Sequence, residues 1–192
     1  MTELRLPFTP ALPLATERLV LRRFGAADRD PLLAYHSMAE VARYVPWAAR
    51  SERDIDGVVE RKMACTGLAA AGDVIEVAVT LARDDRLVGD VMIALGSTVH
   101  QTAEIGFVFD PRHHGKGYAT EAASALVRMC FEEAGLRRLI ARTDARNTAS
   151  HRLCERLGMR REAQLLENEW MKGELTSEVD YGLLAREWES SR

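Results

Sequence analysis

The stretch Ile105-Gly106-Phe107-Val108-Phe109-Asp110-Pro111-Arg112-His113-His114-Gly115-Lys116-Gly117-Tyr118-Ala119-Thr120-Glu121 decides how this chain folds. Its first five residues read as an apolar strand, closed by Asp110-Pro111. Its end opens a helix, because Ala119, Ala122, Ala123, Leu126, Val127 and Cys130 recur at i, i+3, i+4 and i+7. Between them lies a turn with two glycines. Such a turn points backbone N–H groups into one concave spot at a helix N-terminus, where the helix dipole favours an anion. A phosphate-bearing ligand is the first expectation. A P-loop does not fit, since Asp110 stands where the first glycine belongs and Gly117 where a hydroxyl residue belongs. A dinucleotide fingerprint fits better, with Asp144 ending the next strand. However, Thr120 replaces its third glycine, and the turn follows a β-hairpin. A turn that only joins strand to helix is the remaining alternative.

Outward from this stretch the period of apolar residues alternates between two and 3.6. Leu19 to Arg22 reads as a strand, Asp28 to about Met38 as a helix, and Ser51, a candidate cap, to about Ala70 as a second helix. Val74 to Leu81, Leu87 to Leu95 and Ala103 to Phe109 read as strands, the first two joined by Arg83-Asp84-Asp85. After the helix that runs to about Ala134 come a strand over Arg138 to Thr143 and a short helix over Thr148 to Leu157, stopped by Gly158. A final strand pair, Met159 to Trp170 and Thr176 to Leu184, turns at Lys172-Gly173. The order β-α-α-β-β-β-α-β-α-β-β predicts an α/β (α+β) fold with a mixed sheet and helices on it. One domain over 1–192 is expected, with an extended lead over 1–15 set by Pro7, Pro10 and Pro13, and a tail over 187–192.

Bulk properties narrow the function. A chain of 192 residues buries about 70% of its unfolded surface and needs no disulfide or metal to fold. Lys plus Arg number 26 and Asp plus Glu 29, a net charge of -3, which gives no support for binding nucleic acid or a membrane. Cys65, Cys130 and Cys154 are odd in number and fit no zinc or disulfide spacing, so a reducing cytoplasm is expected. No secretory signal pattern opens the chain, and no run reaches the roughly 18 apolar residues of a membrane span. His113 and His114 read as turn residues rather than metal ligands.

Arg112-x-x-Gly115-x-Gly117-Tyr118-Ala119 resembles the acyl-coenzyme A signature of the GNAT acetyltransferases. Four more segments extend the resemblance to the RimJ/RimL-like branch, the ribosomal-protein N-terminal acetyltransferases. They are Thr16-Glu17-Arg18-Leu19-x-Leu21-Arg22, Ala103-Glu104-Ile105-Gly106-Phe107, Asn147-x-x-Ser150-x-x-Leu153-x-Glu155-x-Leu157-Gly158-Met159, and Glu169-Trp170-x-Lys172-Gly173-Glu174 with Asp180-Tyr181. Together they cover nearly residues 14–188, in the family's order. The resemblance implies the GNAT fold, a mostly antiparallel mixed sheet with helices on both faces. It also implies acetyl-CoA as co-substrate, no metal, and an amine as acceptor. A second copy of the chain, in a homodimer, stands as a further candidate partner.

The same resemblance distributes roles. The pyrophosphate of acetyl-CoA is expected on the backbone N–H groups of Gly115, Lys116, Gly117, Tyr118, Ala119 and Thr120, with Arg112 and Lys116 adding charge. The pantetheine arm is expected along Phe107, Val108 and Phe109, beside a strand that a bulge splays from its neighbour. Asn147 and Ser150 are expected at the cofactor, Asn147 near the pantetheine; capping of the next helix by Asn147 is also expected and does not exclude that role. Glu104 is the expected general base, with Gly106 leaving room on its face. The family's usual acid, a tyrosine seven residues after Asn147, is replaced by Cys154, which leaves Ser150 or water for that role. Tyr44, Trp47 and Trp170 are the candidate acceptor wall. The acceptor must be neutral to attack. An α-amine of pKa about 7.8 is roughly 15% neutral at pH 7, a lysine of about 10.4 under roughly 0.1%, a gap of about 3.5 kcal/mol. A protein N-terminus therefore needs only a modest base. A small amine such as an amino acid, polyamine or antibiotic is the alternative acceptor, and an acyl-CoA-binding module without turnover the alternative class.

Overall fold

The computed structural model describes residues 3–190. Eight strands form one sheet: β1 (Leu14–Ala15), β2 (Leu19–Arg22), β3 (Val74–Leu81), β4 (Leu87–Ser97), β5 (Thr102–Phe109), β6 (Arg138–Asp144), β7 (Arg160–Met171) and β8 (Glu174–Leu184). Their order is β1-β2-β3-β4-β5-β6-β8-β7. Every neighbouring pair is antiparallel except β5 and β6, which run parallel because a helix connects them.

Both faces carry helices, as the alternation of apolar residues requires. On one face, α4 (Tyr118–Arg128) and α5 (Thr148–Arg156) bury their stripes against Val91, Ile93, Ile105, Leu139 and Tyr181. α4 buries Ala122, Ala123, Leu126 and Val127, the stripe read from the sequence. It continues as a wider helical turn over Met129–Glu133. On the other face, α1 (Arg29–His36) and α3 (Ile55–Ala64) close a smaller core of Phe24, Leu32, Tyr35, Ile55, Val58 and Val59 over Ala78 and Leu87.

Several expected boundaries shift for identifiable reasons. The second helix was expected from Ser51 to Ala70, but its regular part is only Ile55–Ala64. Ser51 does not cap it in the expected way. Its hydroxyl donates to Asp54 at 2.7 Å and sits in a turn before the helix. Beyond Ala64 the chain is drawn out by bridges Thr66–Ile75 and Leu68–Phe8, tertiary pairings that no local periodicity reports. A short helix α2 (Ala39–Ala42) follows the first helix, and a closing helix α6 (Ala185–Ser190) overlaps the expected tail. The described residues of the lead, from Glu3 on, form no helix, and its end forms β1 on β2. Residues 191–192 of the expected tail lie outside the described residues.

The central strand also departs from expectation. Its register with β4 runs without a break from Ala103↔Leu95 to Phe109↔Gly89, so no bulge interrupts β5 there. The irregularity lies on β4, between Leu95 and Ser97. The space expected beside Gly106 is filled. A Cβ there would come within 2.9 Å of the Met92 terminal methyl. Gly89 makes a tighter approach, since a Cβ would fall 2.4 Å from the Phe109 ring and 2.7 Å from the Val108 carbonyl. Gly89→Ala should therefore displace Phe109 and cost about 1–3 kcal/mol, read as a lowered urea midpoint.

Candidate active site

β6 pairs with β5 at only three positions, Thr102↔Arg138, Ala103↔Leu139 and Glu104↔Ile140. From there β6 stays with β8 as far as Asp144↔Glu178, while β5 stays with β4 as far as Phe109↔Gly89. The two strands part, and the edge of β5 from Ile105 to Phe109 that faces β6 has no strand partner. Phe107, Val108 and Phe109 all lie on this open stretch and are half-buried. The opening begins at Glu104 and ends at the glycine turn.

The turn is built by side chains on both sides of it. Asp110 caps the short 3₁₀ turn Pro111–His113, accepting the Arg112 N–H at 2.9 Å. It also accepts from the Arg112 guanidinium at 2.9 and 2.6 Å, so this side chain folds back onto Asp110. Gly115 and Gly117 then take left-handed φ values of 76° and 81°, which cost a side-chain-bearing residue about 1–2 kcal/mol. The N–H groups from Gly115 to Thr120 find no acceptor among the described residues. A Cβ on Gly115 would meet nothing within 4 Å, so the concavity is open. An exposed row of unpaired N–H groups at the start of an eleven-residue helix fits a pyrophosphate.

Two residues that the sequence reading left without a role hold this turn. Glu121, in the first turn of α4, accepts from the Thr16 hydroxyl at 2.6 Å, the Arg18 N–H at 2.8 Å and the Arg18 Nε at 2.7 Å. Arg18 donates from Nη1 to the Lys116 carbonyl at 2.9 Å and lies over the Tyr118 ring at 5.1 Å. Burial alone would raise the Glu121 pKa, but the bonds from Thr16 and Arg18 outweigh it and hold the carboxyl below its usual range. The strand opening the sheet is thereby pinned to the turn. The Lys116 side chain is exposed.

At the other end of the gap stands Glu104, with a side chain 28% exposed. Arg142, across the pairing on β6, brings Nη1 to 3.7 Å of its Oε2. Asp180 lies opposite Arg142 on β8. Burial raises the Glu104 pKa above the ordinary carboxylate value, Arg142 opposes the rise and Asp180 adds to it. This is the direction a proton acceptor at near-neutral pH requires. Asn147 caps α5, its side chain accepting the Ser150 N–H at 3.2 Å. Cys154 belongs to the core, and burial pushes its thiol up to about 12. No group of three or more His, Cys, Asp or Glu residues able to hold a metal occurs among the described residues.

A carboxylate, an open strand edge and an anion turn in one line are the parts of an acyl-CoA amine acylation site. Residues 18–160 match the acetyltransferase (GNAT) domain family. The chain belongs to the GNAT acetyltransferases. It is an acetyl-CoA-dependent N-acetyltransferase with the GNAT fold. An uncharacterized N-acetyltransferase of Bacillus subtilis, YnaD, is 33% identical over 91% of this chain and 98% of its own length. A GNAT acetyltransferase from Bacillus anthracis superposes with a TM-score of 0.81 at 33% identity, covering 90% of this chain and 98% of that one. The spermidine N-acetyltransferase of Vibrio cholerae, solved with CoA and spermine, superposes with a TM-score of 0.76 at 18% identity, over 91% of this chain and 99% of that one; it shows the fold alone.

Of the residues expected at the acceptor, Tyr44 and Trp47 lie on the segment between α2 and α3. The Tyr44 ring lies 5.1 Å from the Arg43 guanidinium and 5.9 Å from that of Arg146. Trp47 is half-buried and stacks on His36. Lys172, at the β7–β8 turn, donates to the Ala42 carbonyl and ties this segment to the hairpin. Trp170 is not brought to that place. It is 69% exposed and pairs with Leu175. By alternation along β8 it shares the face of Val179 and Tyr181, opposite that of Glu104 and Asp180.

Gly117→Val should abolish CoA binding by titration calorimetry while circular dichroism still shows a folded chain; binding that persists would remove the turn from the ligand. Arg18→Ala should raise the Kd for CoA by roughly twofold to fivefold, because the Lys116 carbonyl loses its tether.

Proposed function

We propose that this chain acetylates the N-terminal α-amine of a protein or peptide by direct transfer, within a single catalytic domain in the cytoplasm. The observation that carries the transfer is the position of Glu104. It is a half-buried carboxylate of raised pKa at the point where β5 and β6 part. Acetyl-CoA supplies the acetyl thioester. The N–H groups of Gly115 to Thr120 hold its pyrophosphate, and the open edge at Phe107, Val108 and Phe109 hydrogen-bonds the pantetheine arm. An N–H of that edge polarises the thioester carbonyl. Glu104 receives the proton that the amine loses, directly or through one water, as the new C–N bond forms and the C–S bond breaks. The departing sulfur takes its proton from Ser150 or water, because Cys154 lies in the core. A buried thiol with pKa near 12 also gives no nucleophile for an acyl-enzyme.

The α-amine reading is supported by a match to the ribosomal-protein-serine acetyltransferase of Escherichia coli, 28% identical over 46% of this chain. It also agrees with a modest base such as Glu104. A polyamine is the second reading. Glu104, Glu178 and Asp180 gather around Arg142, and the Vibrio cholerae neighbour is a spermidine N-acetyltransferase.

Release of free thiol from acetyl-CoA, screened against N-terminal peptides and small amines, separates the two. Peptides with a free N-terminus should react and N-blocked peptides should not; turnover of polyamines alone would overturn the α-amine reading. Because burial raises the Glu104 pKa, its ionised form is gained as pH rises, so kcat/KM should climb across the weakly acidic range. Glu104→Gln should erase that limb and lower the rate by about 10²-fold. Stability has the opposite sign. A carboxyl with raised folded pKa contributes stability that is lost as pH rises through it. The Gln variant should therefore be at least as stable as the parent near neutrality in urea.

A further inference from the structure

A polar cluster is buried under α1 and α3, and the transfer chemistry uses none of it. Asp90, on β4 opposite Val108, accepts the Tyr35 hydroxyl on Oδ2 at 2.6 Å and the Lys62 ammonium on Oδ1 at 2.9 Å. The His36 Nε2 lies 3.3 Å from Oδ2. Lys62 reaches on to Glu76 at 2.6 Å. Burial alone would raise the Asp90 pKa, but Lys62, His36 and Tyr35 overcome it and keep the carboxylate ionised. An ionised Asp90 makes Nε2 the donor, and the other ring nitrogen, Nδ1, has no hydrogen-bond partner among the described residues. Attaching two helices to a sheet does not require this arrangement, since well-packed apolar side chains do so without desolvating ions.

One member of the cluster reaches beyond it. His36, only 3% exposed, stacks on Trp47 with ring centroids 4.5 Å apart and planes 17° apart. The Arg50 guanidinium lies 5.2 Å from the same indole, and the Arg50 N–H donates to the His36 carbonyl at 2.9 Å. Among the described residues the imidazole ring has one hydrogen bond to fix its plane, and that plane fixes the indole. The segment from Ala42 to Trp47 is thus tied to Asp90 at one end and, through Ala42, to the β7–β8 hairpin at the other.

We propose that Asp90 and His36 are positioning residues for the acceptor amine. The carboxylate sets the imidazole, the imidazole sets Trp47, and Trp47 sets the width of the gap through which the amine reaches Glu104. This rests on the reading that the segment between α2 and α3 borders the acceptor. Neither residue touches the reacting atoms, so losing them should weaken use of the amine and leave the acetyl-CoA side alone.

The test combines kinetics with Trp47 fluorescence in a Trp170→Phe, Trp188→Phe background, which leaves Trp47 as the single tryptophan. His36→Ala should raise KM for the amine about tenfold, with kcat and KM for acetyl-CoA within about twofold of the parent. It should also make Trp47 more quenchable by acrylamide. His36→Phe keeps an aromatic face without the hydrogen bond, and should restore the shielding of Trp47 but only part of the KM. Asp90→Asn should shift the amine KM the same way, and with His36→Phe it carries the test where the alanine variant fails to fold. An unchanged amine KM, a parallel rise in both KM values, or unaltered quenching in His36→Ala would overturn the proposal. If no amine releases thiol from acetyl-CoA, it is the acceptor assignment that fails, and the quenching measurement alone then decides whether His36 holds Trp47.

Discussion

The site depends on two parallel strands that cannot stay together. β5 and β6 share three positions and then separate, because each is committed along its other edge: β5 to β4 over Ala103–Phe109, and β6 to β8 over Arg138–Asp144. Those antiparallel ladders satisfy half of each strand's backbone groups. The half that faces the gap is left to solvent or ligand. Unpaired backbone groups are costly only when buried away from water, so an opening at the surface is tolerated in the free protein. It remains available as a ready-made edge for an extended ligand. Glu104 sits at the last paired position, where the backbone is held by ladders on both sides. That rigidity fixes where its carboxylate stands.

The glycine turn depends on the same constraint from the other end. A turn of left-handed glycines with unpaired N–H groups has little internal support. Here the support comes from a strand far away in sequence, through Arg18 and Glu121, two residues 103 positions apart. The arrangement is exposed on the Arg18 side, so its value lies in fixing geometry rather than in stability. Around the segment between α2 and α3 the organisation differs: a buried carboxylate holds an imidazole that stacks on an indole.

Much of this was legible in the chain. Of the expected stripe, Ala122, Ala123, Leu126 and Val127 are buried on α4 and Ala119 is partly buried at its start. The period-two runs became β3, β4 and β5 nearly to the residue. The strand position of Glu104 and the turn positions of Gly115 and Gly117 were readable because strand alternation and left-handed turns leave local signatures. Asn147 was readable as a cap for the same reason. The early end of the helix at Ala64 was not, since it follows from bridges to Ile75 and Phe8. Trp170 was an acceptor candidate only through the family resemblance, and its orientation depends on the register of a hairpin whose β7 strand slips twice against β8.

The sequence by itself determined most of the elements, their order, the glycine turn and the GNAT family, because each rests on contacts between residues a few positions apart or on a motif of fixed spacing. Only the tertiary structure decided that β5 and β6 part at Glu104, that Arg18 holds the Lys116 carbonyl, and that Asp90 gathers Tyr35, His36 and Lys62. Those facts depend on pairings between distant segments. A lone Asp in a strand or an Arg before one has the same local pattern whether it faces water or a buried partner, and the difference arises when the sheet closes and burial makes each unpaired charge costly.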